Sequence, residues 1–286
     1  MSSLREVKDR IASVRSTLKI TSAMKLVASS KLRKAQRTIE ALRPYERTLA
    51  RILSSLPGDL STPASPSLEM TEKVLPTVVL AFSSNTSMCG AFNANAARLA
   101  LDTVSGIGGP VEVWSFGRKM SDAFRKTGRP AARDYSDLVA HPSSETVADI
   151  SRELRDMYER GEIGSVLLVY NHFVSTGRQV ATKETFLPFD AGEYTSESPY
   201  YAEDLYIFEP SAAELRQAMI PQVLDLKLYA ALLDSAAAEH AARMVAMQAA
   251  TDNAQDLLAQ LTLEYNKGRQ QKITSEILDL VSGGYQ

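Results

Sequence analysis

The sequence predicts an α/β protein in which two long helices, one at each end of the chain, pair as an antiparallel coiled coil and flank a central α/β domain. The first two observations concern the helices: the N-terminal and the C-terminal part of the chain each carry apolar residues at the alternating four-and-three spacing of a coiled-coil seam. A third observation predicts the centre, where short strand signals alternate with helical ones. The predicted domains are residues 1–56, 57–210 and 211–286.

The N-terminal helix is predicted over residues 4–56. Fifteen positions from 7 to 56 keep the seam spacing, and twelve of them carry apolar residues. Pro57 and Gly58 end the pattern, as residues that stop a helix do. Pro44 lies inside the run, so we expect a kink or a change of helix near Arg43.

The centre begins after a Pro- and Ser-rich link at residues 61–67. Strands are predicted at 74–83, 111–116 and 165–170, and one or two alternating strands at 173–187. Helices are predicted at 94–104, 119–126 and 146–160. This order is typical of a Rossmann-like α/β domain with a mainly parallel sheet and a late antiparallel edge.

The C-terminal helix is predicted from residue 211 to about residue 282, after a polar, acidic and tyrosine-rich stretch at 194–209. Pro221 is expected at a bend or in a first turn. A second seam runs over residues 230–265 and is rich in small side chains. From Pro221 onward the helix would be about 90 Å long at 1.5 Å per residue, so much of it must pair with the N-terminal helix or enter another protein.

Both ends of this helix pair have unusual patterns. At residues 20–30, apolar and small side chains surround the helix, which is typical of a helix that is buried on all sides. The seam loses its phase over 266–272 and then resumes at a new offset with Ile273, Ile277 and Leu280. We infer that this tip lies in a sleeve formed by partner subunits.

Charge is distributed unevenly along the chain, although the net charge is only −2. Residues 1–51 hold thirteen Lys and Arg against four Asp and Glu, and residues 184–214 hold eight acidic residues and no basic one. The basic helix is compatible with binding to nucleic acid, to an acidic membrane or to an acidic protein surface. It is equally compatible with a helix face that is simply exposed to solvent. The most apolar stretches are too short to span a bilayer, and the charged N-terminus is unlike a signal sequence.

Few residues are candidates for chemistry. Cys89, the one cysteine, excludes an internal disulfide, and we interpret it as a buried thiol rather than a nucleophile because no histidine is suitably spaced. His240 lies on the second seam and is interpreted as a core residue. The sequence has no phosphate-binding loop of the form GxxxxGK(S/T). The glycines at 107–110 do not precede the start of a helix, as the glycines of a dinucleotide-binding motif would. Neither catalysis nor nucleotide, cofactor or metal binding is therefore expected.

Specific motifs at both ends resemble the gamma subunits of F-type ATP synthases. The C-terminal ones are ITSEILDLVSGG (273–284), LTLEYNKGRQ (261–270) and EHAARMVAMQAATDNAQDLL (239–258), and the N-terminal ones are KITSAMKLVASSKLRKAQ (19–36) and RPYE (43–46). The resemblance covers essentially the whole chain. It is looser in the centre, where Asn85 and Ser87 stand in place of the family's usual aspartate and glycine, and Gly284 stands in place of alanine.

The resemblance implies the role of a central rotor shaft. In that family the chain couples proton-driven rotation of a membrane ring to ATP synthesis, and the reverse, without making or breaking a bond itself. The implied partners are three alpha and three beta subunits, the epsilon subunit and the membrane c-ring. The implied location is the cytoplasmic face of a bacterial plasma membrane, or the matrix side of the mitochondrial inner membrane for a mature organellar form.

The resemblance also implies two groups of site residues. One group would contact the alpha/beta ring and couple rotation to catalysis: Met24, Lys25, Arg243, Gln270, Thr274 and Glu276. The other would face the rotor ring: Tyr206 and Glu209. From its position off the seam, Arg243 is expected to point outward.

Two other functions compete with the shaft. A coiled-coil protein could bind nucleic acid through the basic face at residues 15–37, with an affinity that falls steeply with salt. Residues 4–44 contain no aromatic side chain, so no stacking surface supports binding of single strands. A small α/β enzyme with helical arms would need an acid, base or nucleophile near the strand ends, and the sequence offers none.

Overall fold

The computed structural model describes residues 4–55, 75–189, 209 and 211–283, and it confirms an α/β fold with a long helix at each end. The elements of the described chain are α1 (Leu4–Ser55), β1 (Thr77–Phe82), α2 (Phe92–Gly106), β2 (Val111–Phe116), α3 (Arg118–Lys126), β3 (Arg133–Asp134), α4 (Ser136–Ala140), α5 (Ser144–Glu159), β4 (Ser165–Ser175), β5 (Arg178–Leu187) and α6 (Ala212–Gly283). The predicted link at 61–67 lies outside the described residues.

The strands form one mixed sheet in the order β3-β2-β1-β4-β5. Strand β1 pairs in parallel with β2 and β4, β2 pairs in parallel with β3, and β5 runs antiparallel to β4 at the edge. This is the predicted mainly parallel sheet with a late antiparallel edge. The alternating run at 173–187 is the end of β4 followed by β5, so it belongs to a hairpin. The sequence analysis missed β3 and α4, because elements of two and five residues carry no periodic pattern.

The sheet separates two apolar cores according to the two-residue period of its strands. Val78, Leu80 and Phe82 of β1 lie in a core with residues of α5 and α6. Val79 and Ala81 face the other side, where they join residues of α2 and α3. Because β1 is buried on both faces, its sequence is a continuous apolar run rather than an alternating one.

Both long helices continue through their prolines. Pro44 lies inside α1 and Pro221 inside α6, so the change of helix expected near Arg43 does not occur. Proline weakens a helix locally by removing one N–H donor. On the C-terminal side of Pro44, however, Leu49 is buried in the same core as Val223 of α6. This packing favours a continuous helix on both sides of the proline.

The chain divides into two compact units. Residues 30–242 form the unit that contains the sheet, and residues 1–29 with 243–286 form the other. Among the described helices, none combines the length and apolar character that crossing a membrane requires.

Arg133 in β3 is the centre of a polar cluster at one edge of the sheet. Its Nη1 and Nη2 donate to the two carboxylate oxygens of Glu153 on α5, at 2.5 and 2.7 Å. The guanidinium also lies 4.2 Å from the centre of the Trp114 ring and donates to the hydroxyl of Tyr135. These hydrogen bonds raise the pKa of Arg133 and lower the pKa of Glu153 below its usual value of 4.5.

We predict that Glu153→Gln destabilises the protein at neutral pH but not in acid. The lowered pKa means that the charged carboxylate stabilises the folded state above about pH 4.5, and that this contribution is lost as pH falls through the lowered pKa. Both side chains are more than a third exposed, so solvent screening limits the loss to about 0.5–1 kcal/mol. Urea unfolding of both proteins at pH 7 and at acid pH measures this difference in the free energy of unfolding. Glu159→Gln, at an exposed position of the same helix, is the control, and an equal loss in both variants would contradict the assignment.

Candidate interaction surface

The carboxyl edge of the parallel strands, where α/β domains commonly bind ligands, is filled by the chain itself. The first three backbone N–H groups of α3 all donate to the residues that follow β1. Arg118 donates to Asn85 Oδ1 (2.9 Å), Lys119 to the Ser84 carbonyl (3.1 Å) and Met120 to Ser83 Oγ (2.8 Å). These are the amides that a phosphate would use at a helix N-terminus, so this one is closed to an anion.

Asn85 connects three segments at this edge. Its Oδ1 accepts from the start of α3, and its Nδ2 donates to the carbonyl of Ser136 in α4 at 2.7 Å. A carboxylate has no proton for the second bond. The departure of this sequence from the usual aspartate therefore has a structural use, which is to tie α3 and α4 to the end of β1.

Cys89 is a buried structural thiol, as predicted, and is 1% exposed. Its sulfur accepts a hydrogen bond from Asn93 Nδ2 at 3.1 Å and lies 3.7 Å from Ser84 Oγ. It packs in a small cluster with Phe92 and Ala238. These contacts hold the loop after β1 in place and offer no base that would activate the thiol.

Gly117 permits the close approach of β1 and α3. Its φ angle is +108°, and an added Cβ would lie 2.2 Å from the carbonyl oxygen of Ser83. An L side chain would therefore meet both a strained backbone and a steric clash.

The unit formed by the two chain ends is an antiparallel helix pair with a regular register. Leu4 contacts Gly268, Thr21 Oγ1 lies 3.0 Å from Thr251 Oγ1, and Lys25 Nζ donates to Gln248 Oε1 at 2.8 Å. The two residue numbers add to 272 or 273 in each contact, so the helices run in opposite directions without a slip. Gly268 was not singled out in the sequence. A Cβ at that position would lie 3.0 Å from a methyl group of Leu4.

The seam of this pair is built from small and medium side chains. Its buried members are Val7, Thr21, Ala28, Met247, Thr251, Ala254 and Leu261. All seven occupy positions of the two predicted heptad runs. The pattern therefore identified the contact faces correctly, and the alanines and threonines keep the two backbones close.

Large apolar side chains also lie off the seam, exposed to solvent. On α1 they are Ile20, Leu26 and Val27, which are 57%, 66% and 57% exposed. Val245, Leu257 and Leu263 are exposed on α6. The helix pair buries only part of the circumference of residues 20–30, so burial of this segment on all sides stays a prediction about partner subunits. The remainder is an apolar surface of the kind that binds another protein.

The last turns of α6 extend the exposed apolar surface. The register places residues 269–283 past Leu4, the first described residue of α1. Every residue from 271 to 280 is exposed, and Ile273, Ile277 and Leu280 follow one another at helical spacings of four and three. This segment is called the apolar tip below. Ile20, Leu26 and Val27 form a separate apolar surface near Lys25, whose partner Gln248 lies about 38 Å along α6 from Ile273.

The residues implied in coupling fall into two groups. Met24 and Lys25 are half-buried in the helix pair. Gln270, Thr274 and Glu276 are exposed in the last turns of α6, where Thr274 Oγ1 donates to the Gln270 carbonyl and Glu276 pairs with Lys272 at 3.7 Å. At 1.5 Å per residue, Gln270 lies about 33 Å along α6 from Gln248, the partner of Lys25. The structure does not bring the two groups together.

Of the remaining site residues, Arg243 has a clear outcome for its expected orientation, and the role of Glu209 stays a prediction. Arg243 is 9% exposed, so the expectation that it points outward is wrong. A position off the seam does not prevent burial, because an arginine stem packs readily along apolar surface. Glu209 is exposed just before α6. Tyr206 lies outside the described residues.

The basic face predicted at residues 15–37 of α1 is largely exposed. Lys25 is half-buried, and the exposed residues are Arg15, Lys19, Lys31, Arg33, Lys34 and Arg37. Among the described residues, no group of three or more His, Cys, Asp and Glu side chains is arranged to hold a metal ion.

Comparison with known proteins decides the family. A family model described as ATP synthase matches residues 3–285. The chain is 45% identical to the ATP synthase gamma chain of Bacteroides thetaiotaomicron over 300 residues, covering 100% of both chains. The chain belongs to the ATP synthase gamma-chain family. It is also 39% identical to the ATP synthase gamma chain of Flavobacterium johnsoniae over 284 residues, covering 99% of this chain and 98% of that one.

Solved structures share the fold of this gamma-chain family member. A chain from the OSCP/F1/c-ring structure of the Euglena gracilis mitochondrial ATP synthase aligns with a TM-score of 0.66 at 19% identity, covering 98% of this chain and 92% of that one. A chain from the rotor of the same enzyme aligns with a TM-score of 0.63 at 18% identity, covering 94% and 98%. The resemblance seen in the motifs is thus confirmed, and the relatives named above are bacterial.

We predict that Gly117→Ala destabilises the protein by about 2–5 kcal/mol, because it adds backbone strain to an overpacked contact. The free energy of unfolding in urea measures the effect. Gly177→Ala is the matched control, since an added Cβ there meets nothing within 4 Å. If the two variants were equally stable, Gly117 would not be needed for the approach of β1 and α3.

Proposed function

We propose that this chain is the central rotor shaft of an F-type ATP synthase, which couples proton-driven rotation of a membrane ring to ATP synthesis and works in reverse during ATP hydrolysis. Family membership over the full length supports this role. The single structural observation in its favour is the apolar tip, a surface that the described chain leaves exposed on the last turns of α6. In this role the chain is a non-catalytic subunit.

The apolar tip suits a sleeve of partner subunits. Burial of a large apolar side chain contributes about 1.5–3 kcal/mol, so several such residues on a narrow helix favour insertion into an apolar bore. We propose that this bore is formed by three alpha and three beta subunits. The exposed cations of α1 would lie near acidic loops at its entrance, where charge attraction guides assembly.

The unit that contains the sheet would carry the other contacts. We propose that it binds the epsilon subunit and the c-ring, with Tyr206 and Glu209 facing polar loops of the ring. The acidic composition of residues 184–214 suits a basic partner surface. The chain would then be peripheral to the membrane, on the cytoplasmic face in a bacterium.

We propose separate roles for the two groups of coupling residues. Gln270, Thr274 and Glu276 are exposed and free to contact the bore directly. Lys25 bonds across the helix pair to Gln248, whose Nε2 donates to Asp252 Oδ1 at 2.7 Å. Lys25, with Met24 beside it, would therefore act partly by holding α1 and α6 together in the helix pair. Arg243, being buried, would act from inside the protein rather than by an outward contact.

Binding of nucleic acid remains the alternative that the exposed cations allow. Gentle isolation of the tagged chain from native membranes separates the two functions. The shaft predicts recovery with two larger subunits in excess and hydrolysis of Mg-ATP. Recovery with nucleic acid that leaves at high salt would favour the alternative.

We predict that truncation after Lys272 weakens assembly and uncouples ATP hydrolysis from proton pumping. The register places the deleted residues past Leu4, so the sheet unit and the rest of the helix pair should fold normally. Circular dichroism tests the fold, and ATP-driven acidification of vesicles tests the coupling. Lys272→Ala in the full-length chain, which removes only the exposed ion pair with Glu276, is the control. Unchanged pumping by the truncated chain would argue against a coupling role for the tip.

We predict that the charge reversal Glu209→Lys loosens attachment to the rotor ring and spares ATP hydrolysis by the detached catalytic part. The side chain is exposed, so the fold should not suffer. The fraction of ATPase activity released from membranes at low salt measures attachment. The reversal Glu145→Lys, at an exposed position of α5, controls for a general charge effect. Lost hydrolysis in the detached complex would contradict this assignment.

A further inference from the structure

Three polar contacts attach one short stretch of α6 to the rest of the sheet unit. Asp225 pairs with Arg155 of α5 at 3.5 Å, and Lys227 Nζ donates to the carbonyl of Thr185 in β5 at 2.9 Å. The carboxylate of Asp234 accepts hydrogen bonds from β4. All of these residues belong to the unit of residues 30–242. The contacts lie within ten residues of a helix whose other contacts in this region are largely apolar.

Asp234 makes the most specific of the three contacts. Its Oδ1 accepts the backbone N–H of Phe173 at 3.1 Å, and its Oδ2 lies 2.5 Å from Nδ1 of His172. The side chain of Asp234 is 18% exposed. Burial raises its pKa, while the bonds from His172 and Phe173 act in the opposite direction. One carboxylate thus bonds to both the backbone and a side chain of β4.

The apolar surroundings of Asp234 cannot fix a helix in the same way. Ala231, Leu232 and Ala238 are buried on the same stretch of α6. Small apolar side chains hold surfaces together without a preferred direction. Hydrogen bonds have strict distance and angle limits. Rotation or sliding of α6 would have to unpack Leu224, Leu228 and Leu232, which are buried in the core, and it would also break the bonds of Asp234, which tolerate smaller changes of distance and angle.

We propose that Asp234, held by His172 and the N–H of Phe173, is a positioning residue that locks α6 to the sheet and so transmits torque between the sheet unit and the long helix. The inference rests on the proposed function of a rotor shaft. Helix α6 continues unbroken from Ala212 to Gly283. A torque applied to the sheet unit therefore reaches the apolar tip only if α6 does not slip where it crosses the sheet.

Charged and polar groups surround the lock. Asp234 and His172 border a cleft of about 610 Å³, and the other titratable groups that line it are Glu40, Arg43 and Glu46 of α1, Tyr170 and Glu184 of the hairpin, and Lys227 of α6. Tyr170 donates to Glu184 at 2.7 Å, and Lys227 donates to the carbonyl of Thr185 in β5. Tyr170, Glu184 and Lys227 therefore already have partners other than Asp234.

Two substitutions at position 234 have different expected effects. Asp234→Ala removes both bonds. Asp234→Asn keeps the shape of the side chain and an acceptor for Phe173, but it replaces the charged acceptor beside His172 with a neutral amide, whose hydrogen bonds are weaker. Asp102→Ala, an exposed acid on α2, is the matched control. The whole complex is reconstituted in vesicles, and the measured quantities are protons pumped per ATP hydrolysed and the largest proton gradient sustained.

For Asp234→Ala we expect normal hydrolysis by the detached catalytic part and a severalfold lower sustained gradient, since losing hydrogen bonds to a charged group lowers the equilibrium constant for the locked state at least about tenfold. Asp234→Asn should sustain a gradient between those of Asp234→Ala and the wild type. A sustained gradient equal to the wild type in Asp234→Ala would overturn the lock.

If Asp234→Ala does not assemble, Asp234→Asn decides, and a sustained gradient equal to that of the wild type in Asp234→Asn would overturn the lock. The wild-type complex separates this failure from that of the proposed function. A wild-type complex that does not pump protons would overturn the proposed function itself. A wild type that pumps, beside variants that sustain the same gradient, would overturn the lock alone.

Discussion

The antiparallel register of α1 and α6 is the constraint on which the end of the molecule formed by both termini depends. Contacts as far apart along α1 as Leu4–Gly268 and Lys25–Gln248 share one register, so a single alignment selects the buried side chains. Gly268 and the small seam residues permit this alignment, because a larger side chain would push the backbones apart. The same register determines which residues of α6 extend beyond the described part of α1.

In the sheet unit, the chain has closed the place where an α/β domain would bind a phosphate. The N–H groups at the start of α3 bond to Ser83, Ser84 and Asn85, and Gly117 makes this approach possible. The architecture is shared with nucleotide-binding proteins, but the fold alone does not determine function. Here the loop after β1 serves to hold secondary-structure elements together. The tests of Gly117 and of Asp234 thus concern a sheet unit that positions helices rather than ligands.

The sequence predicted the parts of the fold that depend on a repeated pattern. The heptad runs identified both long helices and the seam residues, and β2 was predicted at its observed bounds because Val111–Phe116 is rich in β-branched and aromatic residues and is flanked by glycine and proline. Local exceptions were missed for physical reasons. The change of helix expected near Arg43 does not occur, and the burial of Leu49 in the core favours a continuous α1. Arg243 is buried although it lies off the seam. The contacts of Asp234 join residues more than sixty positions apart, and no local pattern predicts such a pair.

Directional and non-directional interactions are used in different parts of this molecule. Where α6 meets the sheet, Asp225, Lys227 and Asp234 make polar contacts whose strength depends on geometry. At the apolar tip the exposed apolar side chains are Ile and Leu, whose burial is favourable at many orientations. A shaft in the proposed role needs both properties, since it must not slip within itself and yet must turn inside its sleeve. Polar contacts of fixed geometry meet the first requirement, and an apolar tip meets the second because no single orientation has hydrogen bonds that must be broken before the next is reached.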